Sequence, residues 1–233
     1  MKNQTTNIAS NAYAPYSNSD EYCYVLGKSG TFYPGVRVEN SSYPLTIPAD
    51  QAAICSSLGN GDHPVAILDS SRSNQLSKFW IEKFNLKKLE SLPEDAVIYD
   101  PIVKKVDDVN LYLQKLCEST VSDQSDFPVT ALLKTTDGYI PGVNIEFKEW
   151  NLGLCAERVA LSRALASGYS EFLGMHVYAP QSEYISPCGA CRQVLFEFMP
   201  DQTLVLHHDD QSLSRHLVSH LLPNGFSSSS LKK

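Results

Sequence analysis

Residues 35–50 and 142–157 of this chain align without a gap. Gly35 matches Gly142, Val36 matches Val143, Glu39 matches Glu146, Tyr43 faces Trp150, Leu45 matches Leu152 and Ala49 matches Ala156. Each stretch follows a hairpin signal, Ser29-Gly30 in the first and Asp137-Gly138 in the second, and each runs on into a helical pattern, weaker in the first copy. A chain built this way folds as a tandem repeat. The second copy reads as a β-hairpin (129–134 and 139–145), a helix over 155–167 stopped by Gly168, and a strand over 174–179. A helix over 188–199 stopped by Pro200, a strand over 203–207 and a helical tail through Leu221 and Phe226 follow. A hairpin followed by alternating helices and strands predicts an α/β fold, here two three-layer α/β/α domains, each with a mixed sheet. The boundary falls within 92–101, ahead of an amphipathic helix over 103–117, so the domains are 1–95 and 96–233.

The copies differ where chemistry would sit. The second carries Cys155-Ala156-Glu157 and then Pro187-Cys188-Gly189-Ala190-Cys191, each at the start of a helical segment. Two helix starts facing each other place three thiolates around one Zn²⁺ and leave the fourth tetrahedral position open, the arrangement of a catalytic zinc rather than a structural one. No clear fourth protein ligand stands near. Glu157, two residues beyond a ligand without being one, is where a proton carrier is needed; taken alone it reads better as an ordinary first-turn acid favoured at a helix start. The first copy has Pro48 and Asp50 at the matching positions, and Ser70 and Ser73 roughly where the later cysteines fall. Pro and Ser cannot rebuild a thiolate site, and Asp holds a carboxylate one methylene short. One zinc per chain is therefore expected.

The 233 residues carry a formal charge of −7 with no basic block, which excludes tracking along a nucleic-acid backbone. The N-terminal residues lack the apolar stretch of a signal peptide, and no segment is long enough to span a bilayer. Cys23, Cys55 and Cys117 are scattered and read as buried thiols, so a reducing cytoplasm is expected. His207 and His208 tempt a metal reading, but neighbours on a strand point to opposite faces.

Together, Cys155-Ala156-Glu157-Arg158, Ser186–Gln193, Phe127-Pro128-Val129, Asn144-Ile145-Glu146 and the Leu221…Phe226 end closely resemble the cytidine deaminase family. The first copy carries the same family's Tyr13-Ala14-Pro15-Tyr16-Ser17 loop and its Val38…Tyr43 segment. The plan is similar to that of the two-domain members, in which one domain is catalytic and one inert. In those the active half comes first and uses a His ligand. Here it comes second and uses three cysteines, as in the small one-domain members.

The resemblance implies hydrolytic deamination of cytidine and 2′-deoxycytidine, with Cys155, Cys188 and Cys191 on the zinc. It assigns Asn144 and Glu146 to the ribose 3′-hydroxyl, the Ala156 N–H to the base O2, the Ser186 carbonyl to the exocyclic amine and Phe127 to the pyrimidine face. Zinc acidifies its water, and Glu157 takes the proton as hydroxide attacks C4, then passes protons to N3 and the leaving amine. Three thiolates and Zn²⁺ sum to −1, so helix N-termini and Arg158, acting on a thiolate from outside the ligand set, are expected to withdraw charge. The one-domain enzymes assemble as four subunits that complete each other's sites. This chain is accordingly expected to form a homodimer of four domains, with Tyr43 and Phe226 reaching across. Two other readings stay open: deamination of a modified cytosine nucleoside such as blasticidin S, and a nucleoside-binding protein without catalysis.

Overall fold

The computed structural model describes residues 8–70, 75–182 and 184–228. In the first copy, β1 (Tyr22–Gly27) and β2 (Thr31–Val36) form an antiparallel hairpin, and α1 (Ala49–Leu58) leads to β3 (Pro64–Asp69) and α2 (Gln75–Phe84). Two short strands, β4 (Lys87–Lys88) and β5 (Val97–Ile98), complete a mixed sheet of order β4-β3-β1-β2-β5. After α3 (Val109–Leu116), the second copy repeats the plan with β6 (Thr130–Lys134), β7 (Tyr139–Val143), α4 (Ala156–Ala166), β8 (Gly174–Tyr178), α5 (Gly189–Phe198), β9 (Thr203–His207) and β10 (Leu213–Leu217). Its sheet has the order β10-β9-β8-β6-β7, with β8 and β9 parallel and the other pairs antiparallel. The expected tandem α/β repeat is what the chain forms.

Strand periodicity explains the layers of the second copy. Ala131 and Leu133 of β6 enter the core that holds Val159 and Ala160 of α4, while Leu132 joins Leu113 of α3 on the opposite face. The sheet thus lies between α3 and the α4 face. Close helix–strand packing repeats between the copies: a Cβ on Gly35 would meet the Ala49 carbonyl oxygen at 2.2 Å, and a Cβ on Gly142 would meet that of Ala156 at 2.2 Å. Any larger residue would push the helix start off its sheet. The copies also share one core, since Val36, Val38, Ile47, Ala52 and Cys55 pack with Val143, Ile145, Leu154, Ala156 and Val159. Helices α1 and α4 are buried on nearly every side, which suits their small and apolar residues.

Two expectations are corrected. The segment after β9 is not a helical tail: it is strand β10 followed by one 3-10 turn over Val218–Leu221. Leu213, Leu217 and Leu221 have helical spacing, but a tight reversal at 208–212, with Gln211 in the left-handed region at φ 67°, turns the chain back onto β9. The helix expected over 103–117 begins only at Val109, because Val103 forms a β-bridge with Tyr139 and Asp108 caps the helix by accepting from the Leu111 N–H at 3.0 Å. The chain crosses from one sheet to the other between Ile98, paired with Phe32, and Val103.

Candidate active site

Cys155 and Cys188 occupy the N-cap positions of α4 and α5, and Cys191 lies in the first turn of α5. Packing the two helix starts side by side brings one sulfur from each of the three within 4.8 Å of the others. The Cys155 and Cys188 sulfurs are 3.8 Å apart. Two thiolates at ~2.3 Å from a tetrahedral Zn²⁺ would be separated by about 3.8 Å, so the donor set fits that ion. Among the described residues it is the one cluster of three His, Cys, Asp or Glu side chains able to hold a metal. Helix termini serve the two N-caps unequally. The Cys188 sulfur accepts the Cys191 N–H at 3.5 Å, whereas the Cys155 side chain makes no cap bond.

The sulfurs share protons unevenly. Cys188 is pulled well below the usual thiol range, first by hydrogen bonds from the Cys155 and Cys191 side chains and then by the N–H groups of Cys191 and Ala190. Cys155 and Cys191 are pushed up, first by the same contacts between sulfurs. Metal binding releases their protons and makes affinity pH-dependent. Glu157, 3% exposed, is pushed up to about 7, chiefly by burial and further by the charge on Cys188. Burial thus favours the neutral acid over the carboxylate at this position.

The cluster opens into a cavity of about 850 Å³ that takes in Cys155, Glu157, Cys188, Phe127, Asn144, Glu146 and Ser186. Ala156, fully buried, begins α4, and its N–H is one of those a helix start leaves without an intrahelical partner. Asn144 accepts from the Val129 N–H at 2.8 Å and donates to the Phe127 carbonyl at 3.0 Å, which fixes the rim that carries the Phe127 ring. Glu146 accepts from the N–H groups of Gln124 and Ser125 and from the Ser125 hydroxyl. Glu39 gathers Tyr16 and Ser17 in the same way. The second copy has lost the Tyr-Ala-Pro-Tyr-Ser residues yet keeps the turn. Arg158 lines the same cavity; its Nη2 donates to the Leu45 carbonyl of the first copy at 3.2 Å, and its buried Nε has no hydrogen-bond partner.

The structure brings in residues that sequence reasoning missed. Pro44, Leu45, Thr46 and Gln51 of the first copy line the same cavity. Arg192 donates to the Pro187 carbonyl at 2.9 Å and to the Ser186 hydroxyl at 2.7 Å, ordering the approach to Cys188. Arg163, 3% exposed, ties Ser56 of α1 to Pro141. Tyr43 and Phe226, 76% and 44% exposed, lie outside this chain's cavity. His207 and His208 are both buried. His207 Nε2 is 2.9 Å from His176 Nδ1, while His208 meets Ser214. Cys23 and Cys55 are buried and Cys117 half-buried; Ser73 lies outside the described residues.

In the first copy Pro48 caps α1 where Cys155 caps α4, and Asp50 is 2% exposed. No helix among the described residues is long and apolar enough to cross a membrane. Residues 107–207 match the family pattern described as the cytidine and deoxycytidylate deaminase zinc-binding region, and residues 1–70 match a second pattern of the same description. A cytidine deaminase of Sporosarcina psychrophila is 38% identical over 123 residues, covering 51% of this chain and 88% of that protein. One from Halalkalibacterium halodurans is 41% identical over 107 residues, covering 44% and 79%. The crystal structure of cytidine deaminase from Burkholderia pseudomallei aligns at 37% identity and a TM-score of 0.47, covering 49% of this chain and 93% of that one. Each alignment spans about the length of one copy. With a zinc-type thiolate triad in one copy and family patterns matched by both, the chain belongs to the cytidine deaminase family.

Proposed function

We propose that the protein deaminates cytidine and 2′-deoxycytidine to uridine and 2′-deoxyuridine, as a step of pyrimidine salvage. The observation that carries this reading is a buried carboxyl, Glu157, lining one cavity with Cys155 and Cys188, which with Cys191 form a metal-competent cluster. Cys155, Cys188 and Cys191 hold the metal. Zinc, when bound, supplies Lewis acidity at the floor of the site. Glu157 accepts the proton of the attacking water and returns protons to N3 and to the amine leaving C4. Phe127 packs on the pyrimidine face, Asn144 and Glu146 take the ribose 3′-hydroxyl, the Ala156 N–H meets O2, and the Ser186 carbonyl accepts from the exocyclic amine. Arg158 offsets the surplus thiolate charge through its unpartnered Nε.

The first copy, residues 1–95, is catalytically silent, and residues 96–233 carry the chemistry. Its silence is supported by Pro48 standing where a ligand would be. Two chains form a homodimer in which Tyr43 and Phe226 of one reach the site of the other. Their exposure outside their own cavity supports this. Six free cysteines support a reducing, cytoplasmic setting.

An absorbance assay with cytidine, 2′-deoxycytidine, cytosine and blasticidin S tests the reading. The two nucleosides should turn over far faster than the free base or the drug. Exclusive turnover of blasticidin S would replace the substrate, and binding without turnover would make this a nucleoside-binding protein.

A further inference from the structure

The cysteines are not equally supported. Cys188 has the Cys191 N–H on its sulfur, and Arg192 holds the carbonyl of the residue before it. Cys155 has no such cap, so its sulfur is placed by the backbone that delivers it. That backbone is the 3-10 turn Trp150–Leu152 followed by Gly153 and Leu154. On one side Leu154 exchanges both backbone hydrogen bonds with Ile145, at 2.9 and 3.0 Å. On the other side stands a residue from the silent copy. Gln51, 4% exposed, points its Nε2 at three successive carbonyls: Asn151 at 3.2 Å, Leu152 at 2.9 Å and Gly153 at 3.4 Å.

Gln51 and Arg158 are counterparts one position beyond the gapless stretch, and Leu45 and Leu152 are counterparts within it. Arg158 reaches the Leu45 carbonyl while Gln51 reaches the Leu152 carbonyl. The two side chains therefore clasp each other's turn across the domain interface. The clasp needs only N–H donors, which an amide supplies. The charge of Arg158 is needed only beside thiolates, and the copy without them has a neutral residue.

From this we infer that Gln51 is a positioning residue for catalysis: it acts from the silent domain, through the Asn151–Gly153 turn, to hold Cys155 in ligating geometry. The inference rests on the metal assignment above. It gives the first domain a specific role that covering apolar surface would not require. The Leu152 carbonyl, the one whose bond from Gln51 is buried, would keep only the weak Cys55 Sγ–H donor at 3.9 Å and would rearrange, and Cys155 lies three residues beyond it.

The test is Gln51→Met, which keeps the length and removes the donor, in the full-length chain, with Ser56→Ala as the control. Ser56→Ala removes a different buried bond between the copies, that from Arg163 Nε, and touches nothing on the path to Cys155. Zinc affinity is measured by competition with a chromophoric chelator, and site geometry by the visible bands of the Co²⁺-substituted protein. Gln51→Met should weaken zinc binding ~10–100-fold, shift the Co²⁺ spectrum, and lower kcat with KM for cytidine little changed. Ser56→Ala should lower thermal stability and leave all three alone. If Gln51→Met does not fold, Gln51→Asn, one methylene short with its amide retained, should move the same readouts by less. Equal zinc affinity and spectra in the Gln51 variants and Ser56→Ala would overturn the inference. A wild-type chain that binds no zinc would instead overturn the metal assignment beneath it.

Discussion

Glu39 and Glu146 hold equivalent turns in the two copies, each carboxylate gathering two backbone N–H groups and a serine hydroxyl: Tyr16, Ser17 and the Ser17 side chain for one, Gln124, Ser125 and the Ser125 side chain for the other. Only the second turn borders the cavity. Glu146→Gln replaces one acceptor oxygen by a donor and loosens the 124–127 rim. It should raise KM for cytidine by about 10-fold or more, with a stability loss of about 1–2 kcal/mol. Glu39→Gln, which also gives up the bond from Arg37 Nε at 2.9 Å, should cost at least as much stability and leave KM unchanged. Steady-state kinetics with urea unfolding of both variants checks this, and equal KM effects would contradict it.

The first copy holds a buried titratable acid that the proposed chemistry does not use. The Asp50 carboxyl is pushed up to about 6, by burial first and by the Asp69 charge second, and the Ser77 hydroxyl lies 3.0 Å from it. An acid whose pKa is higher folded than unfolded stabilises fully below the unfolded value and loses that contribution as pH rises through the folded one. Wild type should therefore lose stability between about pH 4 and 6 on this account. Asp50→Asn removes the titration and should be more stable by about 1–2 kcal/mol at pH 8. Urea midpoints across pH 4–8 measure it. Parallel curves for the two proteins would contradict it.

The copies are too entangled to separate cleanly. Besides the shared core, Glu197 of α5 accepts from the hydroxyls of Tyr13 at 3.0 Å and Tyr16 at 2.6 Å and from the Ser41 N–H at 2.7 Å. Residues 96–233 alone would leave Arg163 and Glu197 without these partners and expose the α4 face that α1 covers. The fragment should lose turnover and the dimer-sized mass in light scattering. A fully active monomeric fragment would contradict the account.

Much of this was legible in the sequence because local chemistry set it. Cys155 and Cys188 begin helices where the spacing placed them, Gly168 takes a left-handed φ of 85° after α4, and β9 spans Thr203–His207 as expected. The tail misled because leucine spacing outweighed the turn at 208–212, whose reversal depends on pairing with β9. Gln51 and the Pro44–Thr46 wall were illegible for another reason. Their role exists only once one copy docks on the other, and nothing in a single helix pattern encodes the partner surface. The repeat itself contained a partial signal, since Gln51 stands where Arg158 does.

The central claim is that one copy alone performs metal-assisted deamination with Glu157 as the proton carrier. Metal content and cytidine turnover of the wild type and Glu157→Gln, measured on the same preparations, test it most directly. The account predicts one zinc per chain in both proteins and a loss of turnover in the variant of about 10²–10⁴-fold. Two zinc ions per chain, or a Glu157→Gln variant of normal activity, would contradict it.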